Sequence, residues 1–570
     1  MDIDKLTNKA LIAFNDNKYT LALSTIKKIN AKPSNRSYQS AELEGLASIK
    51  LSKFQPALLI FNASLVLAQT EKQKKSAHYN IAITHNKLGN NEEAIKHLEY
   101  CQNIDSTVEN GQALLLLCEL YRRNYHYQKL EKLATKMLAW KEFFAVVKYQ
   151  LIEAFIKQNN TDKAIKEIQD LTIDLTQINE YYISYAINLL LNLYKVDEAK
   201  NLLSRAYNTL GSTPWINKYQ AQLALNNKEY KRVLELIPIE LINACAEWDK
   251  KADYFHIRGN AFDKLAKYQD AYDNFTEMAN CTKNEFIAWT SNDYVDDYNK
   301  TKLKELPVFL HDCVVAEHIF MIGFPRSGTT LLDTILDTQQ NIVTLSELPT
   351  VEVVIKAFDN LLNKTYPKNL FSLTNAELKV LHDEYFNFIK TAGFGDAIDR
   401  STILVDKLPL NMIHLPLLLT LFPKAKFIFS LRHPMATCLS NFQQNYLINK
   451  EMFHLISFDD CVRRYKKVFD LFGKYLEYYQ PDVHFVKYED LVSDLPNEIN
   501  RLSKYLNINF SDEYTTFYKR AEKAIIKTPS RFQVNQPLYE TSKEKWRGYD
   551  NLINQYLPVV QKYIDKYDYS

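Results

Sequence analysis

Hydrophobic and polar positions follow different patterns in the two halves of this chain. Over residues 1–284, apolar and small residues recur every three or four positions, the spacing of one face of an α-helix. From residue 318 onwards, short unbroken apolar runs bounded by polar residues or glycine alternate with segments of helical spacing. Such short runs are typical of buried β-strands. The pattern therefore predicts an all-α first half and an α/β second half.

A repeated unit explains the helical pattern of the first half. A small residue is followed twelve positions later by Ala, and four positions after that by an apolar residue, as in Gly45, Ala57 and Phe61. The centres of this pattern lie 34 to 38 residues apart, at Ala22, Ala57, Ala94, Leu130, Ala164, Ala199, Val233 and Ala271. Spacing and residue types resemble the tetratricopeptide repeat. The resemblance implies a superhelix of about eight stacked helix pairs, rather than a helical domain without repeats.

The sequence predicts three regions: the repeats at 1–284, a connector at 285–317 and a second domain at 318–570. In the connector the repeat phase is lost, and a polar stretch ending at Pro307 suits a linker. The repeats carry no residues spaced for acid–base chemistry, so we expect the second domain to bind its ligand without them. Repeat arrays of this kind can bind a substrate or partner, brace a neighbouring domain or form homodimers. The sequence leaves all three roles open for this chain.

The second domain opens on a strand, a glycine-containing loop and a helix. Ile319–Ile322 is the apolar run, Gly323–Thr330 the loop, and leucine and isoleucine then recur at helical spacing. This arrangement aims backbone N–H groups and a helix N-terminus at an anion. A Walker A loop would need Lys where this chain has Thr329, and the cation here is Arg326 inside the loop. The loop therefore suits a phosphate-like group better than ordinary nucleotide hydrolysis.

The loop sequence PRSGTT after a strand resembles the 5′-phosphosulfate loop of the sulfotransferases. These enzymes use 3′-phosphoadenosine-5′-phosphosulfate (PAPS) as the sulfuryl donor. The resemblance implies a P-loop-like α/β domain with a parallel sheet, a ligand across the carboxyl ends of its strands, and no metal ion. It also implies donor contacts from five loop residues, namely Arg326, Ser327, Gly328, Thr329 and Thr330. A different phosphate-binding loop is the alternative.

Glu347 is the candidate general base. It lies 21 residues after Arg326, the interval that separates the loop arginine from the catalytic glutamate in the protein-tyrosine sulfotransferases. An acceptor hydroxyl must lose its proton as it attacks sulfur, and one carboxylate within hydrogen-bond reach can take it. Without the loop upstream, Glu347 would be interpreted as a capping or solvated residue.

Two further strand ends carry candidate residues. Thr402–Val405 runs into Lys407, which resembles the family's strand-end lysine; this implies a role beside the bridging oxygen of the donor. Arg432 ends the run Phe427–Leu431, and Ser440 follows eight residues later on a helix expected from Pro434. The resemblance implies that Arg432 and Ser440 bind the 3′-phosphate of PAPS, as a planar fork and a short hydroxyl donor.

The remaining candidates lie nearer the end of the chain. Tyr488 follows the apolar run Val483–Lys487 in a YEDL segment that resembles the family's strand end beside the nucleotide. Ser530 and Lys545 fall where the family's closing segment keeps a catalytic Ser and a nucleotide-binding Lys. The chain departs from the protein-tyrosine enzymes at positions 444 and 445, which are Gln and Asn where a basic residue is usual.

Composition and charge narrow the choice of partners. The formal net charge of +2 gives no case for nucleic-acid binding. The seven cysteines are scattered, with no CxxC pair or Cys/His cluster to predict disulfides or a metal site. The first residues are polar, and no apolar run approaches the ~18 residues of a membrane span. We therefore predict a cytoplasmic protein without a membrane span.

Together these patterns predict transfer of a sulfuryl group from PAPS to a hydroxyl acceptor. Peptide or protein tyrosine is the favoured acceptor, with glycans and small molecules as alternatives. Two rival interpretations stay open. One is a metal- and nucleotide-dependent phosphotransferase, for which Asp406 is the sole candidate magnesium ligand. The other is a tetratricopeptide scaffold whose second half is catalytically inactive.

Overall fold

The computed structural model describes residues 3–105, 107–158, 160–286, 293–307, 309, 314–521, 537–538 and 542–569. The chain folds into two compact units, residues 1–182 and residues 183–570. The predicted connector at 285–317 lies within the second unit. That it separates two domains remains a prediction.

The first unit consists of helices joined as hairpins. They are α1 (Ile3–Asn15), α2 (Tyr19–Asn30), α3 (Tyr38–Lys50), α4 (Phe54–Leu67), α5 (Glu71–Lys87), α6 (Asn91–Ile104), α7 (Gly111–Arg123), α8 (Tyr127–Met137), α9 (Phe144–Lys157) and α10 (Thr161–Leu171). Short 3₁₀ turns and Ser or Thr N-caps separate several of them; Thr70, for example, forms a capping box with Gln73.

After α10, further helices continue the same pattern into the second unit. The helices are α11 (Glu180–Asn192), α12 (Val196–Leu210), α13 (Pro214–Asn226), α14 (Tyr230–Leu236), α15 (Ile239–Ala244), α16 (Trp248–Lys264), α17 (Tyr268–Glu285) and α18 (Tyr294–Lys300). The first residues of α11 belong to the first unit. The short helix α15 is an insertion between two hairpins.

The predicted repeat centres lie at the contact between the two helices of each hairpin. Each of the eight centres is on the second helix of its pair and is fully buried. At Gly45 and Gly259 the first helix has no side chain, and the rings of Phe61 and Phe275 occupy that space. A tetratricopeptide-like helical region is therefore confirmed, and close packing within each hairpin explains the sequence period.

Gly259→Ala should destabilise the chain although alanine favours helices. A Cβ at this position would lie 2.7 Å from Cε1 of Phe275, inside van der Waals contact. Overpacking of this kind costs ~1–3 kcal/mol, which outweighs the ~1 kcal/mol that Ala gains over Gly in a helix. The matched control is Gly473→Ala, because a Cβ there meets only the flexible end of Lys566 at 4.0 Å. We expect thermal unfolding at a lower temperature for Gly259→Ala and at a higher one for the control.

Strands of the second unit form one parallel sheet among the described residues. They are β1 (Glu317–Gly323), β2 (Ile342–Ser346), β3 (Ile403–Lys407), β4 (Lys426–Leu431) and β5 (Val483–Lys487), in the order β2-β3-β1-β4-β5. All neighbouring pairs are parallel. Sequence analysis missed β2, a five-residue edge strand whose buried residues Ile342 and Leu345 stand three positions apart rather than two.

Helices cover both faces of this sheet. They are α19 (Thr329–Leu336), α20 (Thr350–Asn360), α21 (Asn375–Ile389), α22 (Leu415–Leu421), α23 (Pro434–Phe442), α24 (Lys450–Phe453), α25 (Phe458–Tyr479), α26 (Tyr488–Ser493), α27 (Leu495–Leu506), α28 (Phe517–Ala521), α29 (Asp550–Ile553) and α30 (Leu557–Lys566). A 3₁₀ turn at Lys545–Tyr549 precedes α29.

Alternate residues of the central strand pack on opposite faces. Ile319 and Met321 join a core with α19 and α27, whereas Phe320 and Ile322 join the core on the other side. A strand buried on both faces reads as a continuous apolar run, and β1 has that pattern in the sequence. The predicted α/β domain with a parallel sheet is confirmed. Within the described ranges, no helix combines the length and apolar character needed to cross a lipid bilayer.

Candidate active site

The predicted site residues gather where the parallel strands end. β1 leads into the loop 324–328, and β3 ends at Lys407. Glu347 follows β2, Arg432 follows β4 and Tyr488 follows β5. Because all strands are parallel, these ends lie along one edge of the sheet. The central strand β1 has β3 on one side and β4 on the other, which makes its carboxyl end the switch point where open α/β sheets bind ligands.

The loop after β1 depends on a glycine. Gly328 caps the N-terminus of α19 with a φ of 102°, a left-handed conformation that glycine adopts at no steric cost. A side chain there would also place its Cβ 2.8 Å from Cδ2 of Tyr488. Arg326 has a φ of 70°, and its Nε donates a hydrogen bond to Oγ of Ser440 at 3.1 Å. The loop backbone is therefore held against two other segments of the site.

Glu347 is held in a strained backbone conformation. Its φ is 55°, and its N–H donates to the carbonyl oxygen of Lys407 at 2.8 Å. Left-handed conformations of non-glycine residues cost ~1–3 kcal/mol and concentrate at functional sites. About a third of the side chain is exposed, at 36%, and it lines the cavity described below. The bend after β2 therefore points to a functional position for this carboxylate.

Lys407 lies between two carboxylates. Its Nζ is 3.1 Å from Oε1 of Glu347 and 3.7 Å from Oδ2 of Asp333, and the side chain is fully buried. Ser346 donates a hydrogen bond to the same Asp333 oxygen, while burial raises the pKa of this aspartate above its ordinary value. The ammonium therefore lies between the buried Asp333 and the partly exposed Glu347, and it approaches the cavity only through Glu347.

Arg432 is oriented by backbone oxygens. Nη1 donates to the carbonyl of Arg326 at 3.2 Å and Nη2 to the carbonyl of Ser542 at 2.8 Å. The guanidinium carbon lies 4.7 Å from the ring centroid of Tyr488, a cation–π contact. Among the described residues, the buried Nε has no hydrogen-bond acceptor. A fixed cation with an unsatisfied donor is suited to an anionic ligand.

One cavity of about 940 Å³ brings most of the predicted residues together. The predicted residues that line it are Arg326, Gly328, Thr330, Glu347, Arg432, Ser440, Tyr488 and Lys545. Lys407, Ser327 and Thr329 are buried behind this surface and do not line it. Ser530 lies outside the described residues. The chemical roles assigned to all of these residues remain predictions.

Three functional candidates were missed in the sequence. Ser542 accepts from Arg432 and shares a 2.6 Å hydrogen bond with the hydroxyl of Tyr488. Trp546 lines the cavity. Asp263, on repeat helix α16, forms an ion pair with Lys545. None had a local motif to mark it, although the position of Trp546 beside Lys545 was a weak signal.

Asp406 lies away from the cavity. It is fully buried, and Oδ2 accepts hydrogen bonds from Thr350 at 2.6 Å and from Tyr385 at 2.7 Å. Burial raises the pKa of Asp406 to about 6. The magnesium ligand that the phosphotransferase interpretation requires therefore does not line the cavity. The described residues also contain no group of three or more His, Cys, Asp or Glu placed to hold a metal ion.

Comparison with known proteins finds a family match in the second half of the chain. Residues 318–512 match the sequence profile described as the sulfotransferase family. The second half carries a sulfotransferase domain. The chain is also similar to protein-tyrosine sulfotransferase A of Caenorhabditis elegans, with 25% identity over 196 residues, which is 34% of this chain and 51% of that protein. It spans about half, or less, of the length of the curated relatives it matches.

Solved structures resemble the two halves separately. A tetratricopeptide repeat protein from Parabacteroides merdae aligns with 46% of this chain and 98% of its own, at 16% identity and a TM-score of 0.33. A sulfotransferase domain from the curacin biosynthetic pathway aligns with 43% of this chain and 92% of its own, at 20% identity and a TM-score of 0.29.

Proposed function

We propose that this chain transfers a sulfuryl group from PAPS to a hydroxyl acceptor, with peptide or protein tyrosine as the favoured acceptor. One observation carries the proposal: separate segments of the sulfotransferase domain bring Arg326, Glu347, Arg432 and Lys545 to one cavity at the strand ends. Three cations and one carboxylate suit an anionic donor together with one proton to be removed.

The donor is assigned to the cationic side of the cavity. The loop N–H groups and Arg326 would hold the 5′-phosphosulfate at the N-terminus of α19. Arg432 and Ser440 would hold the 3′-phosphate, and the orphaned Nε of Arg432 fits this role. Tyr488 packs beside Gly328 of the loop and beside the guanidinium of Arg432. When bound, the donor supplies a sulfuryl group on a good leaving group, so the protein need not supply a nucleophile of its own.

Proton transfer is assigned to Glu347. The acceptor oxygen forms a bond to sulfur as its proton passes to the carboxylate. The bond from sulfur to the bridging phosphate oxygen breaks, and its electron pair leaves with 3′,5′-diphosphoadenosine. Nζ of Lys407 lies 3.1 Å from Oε1 of Glu347 and would stabilise the ionised carboxylate, which is the form that can accept a proton. Arg326 would stabilise the charge that spreads over the transferring oxygens.

Tyrosine is favoured because the worm relative is a protein-tyrosine sulfotransferase and because Glu347 keeps the base-to-arginine interval of those enzymes. Gln444 and Asn445, where those enzymes usually have a basic residue, line the cavity and reduce its positive charge. Glycans and small hydroxylated molecules therefore stay in the acceptor screen, in which transfer of ³⁵S-labelled sulfate to each class is measured.

Removal of the 3′-phosphate from the donor should weaken binding strongly. Loss of one hydrogen bond to a charged group costs ~1.5–3 kcal/mol, which is roughly a 10- to 150-fold increase in Kd. Calorimetry with PAPS, adenosine 5′-phosphosulfate and ATP plus Mg²⁺ measures this difference. We expect the order of affinity to be PAPS first, with the other two much weaker.

The Arg432→Ala variant is the control for this assignment. It should bind PAPS weakly and bind adenosine 5′-phosphosulfate almost as the unmodified protein does, so that discrimination between the two ligands is lost. Equal affinity of the unmodified protein for both ligands would remove the 3′-phosphate from the Arg432–Ser440 pair. Tight binding of ATP with Mg²⁺ instead would favour the phosphotransferase interpretation.

A further inference from the structure

A carboxylate from the repeat region forms an ion pair with a lysine that lines the cavity. Asp263 is on α16 and its side chain is 2% exposed. Oδ2 lies 2.9 Å from Nζ of Lys545, and Oδ1 accepts from the hydroxyl of Tyr549 at 2.7 Å and from Nε2 of Gln443 at 3.3 Å. Both carboxylate oxygens are thus occupied by groups of the sulfotransferase domain. A buried carboxylate needs such partners to remain charged.

The ammonium of Lys545 is held from two directions. Besides the ion pair with Asp263, it donates to Oε1 of Gln443 at 3.1 Å. An ammonium has three N–H groups, so these contacts leave one for an anion in the cavity that Lys545 lines. The two partners therefore fix the direction of this ammonium, while 37% of the side chain stays exposed.

The backbone beside Lys545 also packs on the repeat hairpin formed by α16 and α17. A Cβ at Gly548 would lie 2.6 Å from Cζ of Tyr268, so only glycine allows this close approach. The rings of Tyr268 and Tyr549 are 4.9 Å apart between centroids. The turn Lys545–Tyr549 is therefore placed by the repeat region through a glycine, an aromatic pair and an ion pair.

We propose that Asp263 is a positioning residue of the donor site, which makes repeat helix α16 a functional part of the sulfotransferase. The inference rests on the proposed function, since it takes Lys545 to bind the diphosphoadenosine part of the donor. Asp263 holds Lys545 at the cavity and supplies the negative charge that favours its protonated form. A lysine that lost this partner would keep its length but lose its direction and part of its charge.

The charges around Lys545 predict how donor binding should depend on pH. Desolvation lowers the pKa of Lys545 below its ordinary value, and the charge of Asp263 opposes that effect. The other charged groups facing this ammonium are Lys264 and Arg432, which lower its pKa further. Replacement of Asp263 by Asn therefore lets Lys545 lose its proton at a lower pH. Donor affinity should then fall with rising pH, because the neutral amine no longer attracts a phosphate.

This inference reverses our expectation that the second domain binds its ligand without the repeats. A fragment that starts near residue 285 lacks both α16 and α17, and with them Asp263 and Tyr268. Donor binding should therefore be weaker in the fragment than in the full chain. The full chain is the appropriate material for the test.

The test is the pH dependence of binding to 3′,5′-diphosphoadenosine, measured by calorimetry on the full-length protein and on Asp263→Asn. We expect Asp263→Asn to have the higher Kd and the ratio of the two Kd values to grow as the pH rises, because loss of the Asp263 charge lowers the pKa of Lys545 further. The double variant Asp263→Asn with Lys545→Arg should lose this slope, because arginine stays charged in proteins.

Asp296→Asn is the matched control. Asp296 lies on α18 and pairs with a different lysine, with Oδ1 3.0 Å from Nζ of Lys467, and neither residue lines the cavity. Its pH profile for ligand binding should match that of the unmodified protein. Asp263→Ser, which still offers an acceptor to Tyr549, replaces the Asn variant if that variant does not fold.

The outcomes separate the two proposals. A Kd ratio that stays constant across pH, or a slope that persists with arginine at position 545, overturns the role of Asp263 and leaves the sulfuryl-transfer proposal intact. Failure of the unmodified protein to bind 3′,5′-diphosphoadenosine overturns both.

Discussion

Glu347→Gln should abolish most sulfuryl transfer while the protein keeps its fold and its donor affinity. Glutamine has nearly the same shape and still offers an oxygen to Lys407, which lies 3.1 Å from Oε1 in the native site. It cannot accept the acceptor's proton. A positioned general base contributes ~10²–10⁴-fold to the rate, and we expect a loss in that range in kcat at pH 7, with an unchanged Kd for 3′,5′-diphosphoadenosine.

The pH dependence of this variant also reports on the acceptor. A tyrosine hydroxyl has a pKa of about 10, so phenolate forms without a base as the pH rises, and part of the lost rate should return between pH 7 and pH 9. An alkyl hydroxyl does not ionise in this range, and the loss should then persist. Recovery with rising pH would support tyrosine as the acceptor.

Glu352→Gln provides the matched control for Glu347→Gln. Glu352 lies on α20, five residues later, and pairs on the surface with Lys356 at 2.7 Å. Its replacement should leave transfer unchanged. Transfer near the native rate by Glu347→Gln at pH 7 would remove Glu347 from the mechanism.

Lys407→Met should give the second largest effect, and it should act on both rate and stability. The buried ammonium lies between Glu347 and Asp333, so its removal leaves two carboxylates without a counter-charge. Removal of one partner from a buried ion pair costs ~3–5 kcal/mol. Lys407 contacts the proposed base Glu347 at 3.1 Å and does not line the cavity, so its loss should lower kcat by misplacing that carboxylate. We expect kcat to fall more than the donor KM rises.

Stability of Lys407→Met should depend on pH in a definite direction. Burial already raises the pKa of Asp333 in the folded protein, and loss of the lysine raises it further. A carboxyl group whose folded pKa is raised favours the fold while it is protonated and loses that contribution as the pH rises through the folded pKa. The difference in melting temperature from the native protein should therefore be larger at pH 8 than at pH 5.

The double variant Lys407→Met with Asp333→Asn separates the two effects. It removes the uncompensated buried carboxylate, so we expect stability to recover while transfer stays low. Recovery of both would show that Lys407 acts only through folding. An effect confined to the donor KM would instead assign Lys407 to donor binding alone.

Local sequence patterns were enough for the repeat region and for the loop of the active site. Each repeat hairpin packs its two helices closely together, as at Gly45 on one helix and Phe61 on the other, so the required residues recur at a nearly constant interval. The loop from Arg326 to Gly328 is similarly a local structure, in which one strand, one left-handed glycine and one helix N-terminus follow in order. Patterns of this kind survive in the sequence because the interacting residues are close along the chain.

Tertiary structure decided what lies behind and around those residues. The sequence could not show that Lys407 is buried between Glu347 and Asp333. Pairing of β2 with β3 brings Glu347 to Lys407, whereas Asp333 comes from helix α19. Asp263 and Tyr549 are 286 residues apart and belong to different predicted domains. Contacts between such distant positions are made by single polar residues, which leave no repeating pattern in the sequence. Local spacing therefore determined the elements and the candidate site in this protein, whereas long-range packing selected the partners that orient and charge its side chains.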